Sequence, residues 1–75
     1  MTDQAGKLKI ELHGGEVHIS GDRGGLKFLA EICSKLSNLA DKDSATGANH
    51  WHLEAAMNNA EPGSVPTTVW LKTDL

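Results

Sequence analysis

The sequence predicts a two-layer α+β domain: a four-stranded, mainly antiparallel sheet in ββαββ order with one helix covering one face. Three observations carry this. Residues 7–13 and 16–20 alternate apolar and polar around Gly14-Gly15, residues 23–40 repeat apolar side chains at spacings of three and four, and residues 49–54 and 67–73 alternate again. With 75 residues the chain has room for one unit and a thin core, so a single domain spanning 1–75 is expected, with frayed ends at about 1–6 and 74–75.

The first strand places Leu8, Ile10 and Leu12 on one side and Lys7, Lys9, Glu11 and His13 on the other. Gly14-Gly15 is a two-residue hairpin turn, because glycine supplies the positive φ that such turns need. That loop forces a register in which Leu12 faces Val17, Ile10 faces Ile19, His13 faces Glu16 and Glu11 faces His18. Ser20-Gly21 ends the second strand, and Asp22 offers an N-cap for a helix starting near Arg23. Leu26, Leu29, Ile32, Cys33, Leu36, Leu39 and Ala40 form its apolar stripe, with Phe28 sealing one border and a Glu31–Lys35 pair on the wet side. The helix fades around Asp41, where periodicity stops. In the third strand Trp51 and Leu53 share one face, and His50, His52 and Glu54 the other. Pro62-Gly63 marks a turn, and Pro66 opens a fourth strand in which Val69 and Leu71 alternate with Thr68, Trp70 and Lys72.

One helix covers only one face of such a sheet. Alternation assigns Lys9, Glu11, His13, Glu16, His18, His50, His52, Glu54, Thr68, Trp70 and Lys72 to the other, and all four histidines fall there. Trp70 is the most informative of them, since indoles on polar faces are enriched at interfaces; the competing reading packs it under the preceding loop against Met57 or Val65. Glu11, His18, His50, His52, Glu54, Trp70 and Lys72 are the candidate partner-binding residues. His50-x-His52 points two imidazoles the same way, about 7 Å apart at the backbone; His18, Glu11 or Glu54 could supply a further ligand if the second and third strands lie close together, and His18, His50 and His52 are the alternative metal set. No cofactor is expected. No phosphate-binding loop, dinucleotide fingerprint, nucleophile elbow or zinc-protease motif occurs, and a flat sheet offers no pocket that excludes water, so no enzyme is expected. Gly21-Asp22-Arg23-Gly24-Gly25 reads as a strand-to-helix turn, and Cys33 as a small core residue.

Hydrophobic residues make up 39% of the chain and charged ones 23%, which suits a folded protein. A net charge of -3 with only seven scattered Lys and Arg argues against a nucleic-acid partner. A single cysteine excludes an intrachain disulfide and favours a reducing compartment. No stretch approaches the roughly 20 apolar residues of a membrane span, and the first residues lack a leader pattern, so a cytoplasmic location is expected.

The run Ser20-Gly21-Asp22-Arg23-Gly24-Gly25-Leu26-Lys27-Phe28-Leu29-Ala30, followed by His50-Trp51-His52-Leu53-Glu54, resembles the immunity protein 32 family of bacterial polymorphic-toxin systems, over residues of about 16 to 73. The resemblance implies a cytoplasmic antidote that neutralises a toxin domain by binding it. It carries no catalytic residues. Beside it stand a small metal-binding protein using the His-x-His strand, and a homodimeric accessory subunit.

Overall fold

The computed structural model describes residues 6–44 and 46–75; the expected fraying of residues 1–5 and the loop position Ala45 lie outside them. Four strands and one long helix follow in the expected order: β1 (Leu8–His13), β2 (Glu16–Gly21), α1 (Arg23–Ser37), β3 (His50–Leu53) and β4 (Thr67–Trp70). Single 3-10 turns at Asp41–Asp43, Gly47–Asn49 and Ala55–Met57 fill the connections.

The β1–β2 hairpin has the register that the Gly14-Gly15 loop dictates, with Leu12 opposite Val17, Ile10 opposite Ile19, Glu11 opposite His18 and His13 opposite Glu16. Both turn glycines have positive φ, 58° and 84°. The helix begins where Asp22 caps it, its Oδ1 accepting from the Gly25 N–H at 2.8 Å. The same oxygen accepts from the Lys7 N–H at 2.9 Å, which ties the helix start to the start of β1. The two elements approach so closely that any side chain at position 25 would collide with the Lys7 carbonyl. The helix ends at Ser37, earlier than periodicity suggests, because the Ser37 hydroxyl and the Asn38 carboxamide both donate to the Ser34 carbonyl, at 2.9 and 2.8 Å. These short polar side chains satisfy its end.

The core is Leu8 and Ile10 of β1, Ile32 and Leu36 of α1 and Leu53 of β3, with Phe28, Leu29, Leu39, Val69 and Leu71 packed around it. Two expectations need correction. Cys33 is exposed. The buried helical stripe is centred on Gly25, Ile32 and Leu36, and at about 100° per residue Cys33 and Leu26 lie about 80–100° round the helix from it. Leu12, Val17 and Ile19, expected in the core, are 60%, 60% and 47% exposed. The helix covers the β1 end of the hairpin and leaves its tip bare.

The four strands also do not form one sheet. They make two two-stranded antiparallel ladders, β1–β2 and β3–β4. The chain before β4 does run along β1: the Glu61 N–H donates to the Leu8 carbonyl, the Val65 N–H to the Ile10 carbonyl, and the Ile10 N–H to Ser64 Oγ. Pro62 and Pro66 lack the N–H groups that a continuous ladder requires, so these few bonds join the hairpins without merging them.

Candidate functional site

The outer face of β3–β4 gathers five of the side chains that alternation assigns there. Leu71 N–H donates to the Asn49 carbonyl at 2.8 Å. The next pairs along the ladder, His50 with Trp70 and two residues on His52 with Thr68, are therefore the non-hydrogen-bonded kind, whose side chains stand closest. His50 stacks on Trp70 with ring centroids 4.4 Å apart and planes at 25°. His52 meets His50 edge to face at 4.9 Å, and its Nδ1 lies 3.1 Å from Thr68 Oγ1. Lys72 Nζ sits 5.5 Å from the Trp70 centroid, within cation–π range. Trp70 is nonetheless 50% exposed, so its large ring stays wet while held by two neighbours.

The edge of β3 is braced by a residue that the sequence does not advertise. Asn59, 8% exposed, accepts from the Glu54 N–H at 2.8 Å and donates to the His52 carbonyl at 2.7 Å. Its carboxamide thus does what a neighbouring strand would do. Glu54 lies just beyond β3, partly buried, with its backbone held in this bracket. On the opposite face Trp51 lies against the helix, with Lys35 Nζ 5.9 Å from its ring, and with Phe28, Glu31 and Ile32 it lines a pocket of about 260 Å³.

The outer face of β1–β2 carries a separate cluster. His18 Nε2 is 2.9 Å from Glu16 Oε1, and His13 Nε2 is 3.5 Å from Glu11 Oε1. The two imidazoles meet edge to face at 5.1 Å. Lys9 is engaged with the Pro62 carbonyl at 2.8 Å. Glu11 and His18 thus belong to one hairpin, and His50, His52, Glu54, Trp70 and Lys72 to the other. Among the described residues no group of three or more His, Cys, Asp or Glu could hold a metal ion, and the set His18, His50 and His52 is divided between two ladders.

The carboxyl of Asp22 is held below its ordinary range by the backbone N–H of Lys7, then by that of Gly25. Its contacts are structural: it joins β1 to α1. His13, Glu16 and Thr68 complete the two clusters, and alternation had placed all three on the outer face. Asn59 left no signal, since the second of two adjacent asparagines, six residues past a strand, looks like any loop residue.

A family model described as Immunity protein 32 matches residues 16–71, and the chain belongs to that family. No curated protein and no solved structure matches it. Among the described residues no helix is long and apolar enough to cross a membrane.

Proposed function

We propose that this member of the immunity protein 32 family neutralises a cognate toxin domain by binding it directly, without catalysis, in the cytoplasm of the producing cell. The contact surface is the outer face of β3–β4, centred on Trp70, with His50, His52 and Lys72 around it and Glu54 at its margin. The observation that supports this is the state of Trp70: half exposed, yet stacked on His50 and flanked by Lys72. A side chain already held in place loses little conformational freedom when a partner covers it, and burying an indole that was wet contributes on the order of 2 kcal/mol or more. Glu11 and His18 lie on the other hairpin and are at most peripheral to this surface.

The test is calorimetry of the chain with the toxin domain encoded beside it. Trp70→Ala should weaken binding by about tenfold or more while leaving the melting curve within a few degrees of wild type. An unchanged Kd in a folded variant overturns the assignment of the surface. A variant that unfolds, with binding per folded molecule unaltered, places Trp70 in the core.

A further inference from the structure

Among the described residues, no strand pairs with the edge of β2 that faces away from β1. Leu8 and Ile10 of β1 send their peptide groups away from β2, where residues 61–65 receive them. In an antiparallel ladder their partners Gly21 and Ile19, and two residues on Val17, must likewise point away from β1. None of the described residues hydrogen-bonds to these outward groups, and every residue of β2 is exposed. Beside this edge, on the part of the helix-side face that α1 does not reach, stand Leu12, Val17 and Ile19.

The chemistry of the strand shows what fits. Gly15-Glu16-Val17-His18-Ile19-Ser20-Gly21 reads nearly the same in both directions about His18: glycine, polar, β-branched, His, β-branched, polar, glycine. A two-fold axis at His18 pairs Val17 with Ile19 of a second copy, the residues whose outward N–H and C=O groups can bond to one another. It sets the apolar side chains of both copies against each other on one face. It also places Glu16 opposite a serine, which can donate to it. Shifting the axis by one residue to Ile19 instead sets Glu16 against Asp22, two like charges, and Val17 against Gly21, which has no side chain to pack.

We propose that β2 is a self-recognition edge: two copies pair antiparallel through β2 about an axis at His18, forming a continuous four-stranded sheet with an isologous interface. This surface is separate from the Trp70 face, so a dimer presents two toxin-binding faces, and either assignment can fail without the other. The partner here is a second copy, and the readout needs no toxin.

Sedimentation of purified protein at micromolar concentration should give the mass of a dimer. Val17→Lys, which puts a charge into the apolar side of the pairing, should give a monomer with an unchanged far-UV spectrum. In a Cys33→Ser background, His18→Cys should cross-link on mild oxidation, because residues facing each other across the axis in a non-hydrogen-bonded pair have Cβ atoms about 4.5–5.5 Å apart. Ser20→Cys should not, its two copies lying about 13 Å apart along the strands. A monomeric wild type, a dimer that Val17→Lys leaves intact, or equal cross-linking at the two positions overturns the proposal.

Discussion

The two hairpins invert what their sequences advertise. β1–β2 has six-residue strands, unbroken alternation and a two-residue turn, yet β2 buries nothing and the tip side chains Leu12 and Val17 are both 60% exposed. β3–β4 has four-residue strands that 13 residues separate, from 54 to 66, yet it seats Leu53 at 1% exposure and packs Val69 on the core. Pairing is a local property, set by turn and alternation. Burial is not, because it depends on where the helix comes to lie. The Asp22 cap and the close approach at Gly25 fix that position, pinning the start of α1 to the start of β1. The helix therefore lies over Leu8 and Ile10 and leaves the tip uncovered.

The largest test of this contrast lies within one strand. Ile10→Ala should cost about 2–5 kcal/mol, since it empties a fully buried site, whereas Leu12→Ala, two residues on and facing the same way, should cost well under about 1 kcal/mol. Equal losses in denaturant melts would mean that the tip is covered after all. Next comes Asn59→Ala, which leaves the His52 carbonyl and the Glu54 N–H without their bridge and should cost about 1–3 kcal/mol. Its effect should appear first as faster hydrogen exchange in β3, with β1–β2 spared.

Gly15→Val tests the turn itself. It forces a β-branched residue to positive φ and should lower stability by about 1–2 kcal/mol, or several degrees in Tm. Smaller still is a pH effect at the junction. The folded pKa of Asp22 is depressed, so its contribution is fully present above the ordinary value of 3.8 and is lost as pH falls through the lower folded value. Acid titration of stability should therefore be shallower in Asp22→Asn than in wild type below that pH. The smallest expected effect is that of Zn(II), which at micromolar concentration should leave Tm unmoved, because no group of three or more ligand side chains gathers among the described residues. A rise that disappears in the double variant His50→Ala with His52→Ala would restore the metal reading.

What the sequence made legible follows the same division. The register of β1–β2, the Asp22 cap and the faces of β3 and β4 were readable because each rests on neighbours in the chain: two glycines, one carboxylate, strict alternation. The pairing of His50 with Trp70 was only half readable, since alternation set their face but not that β3 and β4 would be partners. The break between the ladders was hidden because it depends on Pro62 and Pro66 interrupting a segment that nothing local marks as lying beside β1. Cys33 was misplaced for a related reason. A helical stripe seven residues wide spans more of the circumference than one thin sheet covers, and only the packed structure shows which edge is left out.

A single oxygen of Asp22 holds two backbone amides, that of Lys7 just before β1 and that of Gly25 in the first turn of α1. Neither can open to solvent for long without loosening the acceptor it shares with the other. In time-resolved terms the strand entry and the helix entry form one opening unit, so their amide protons should exchange with matched rates. Both rates should rise together when that carboxylate takes up a proton.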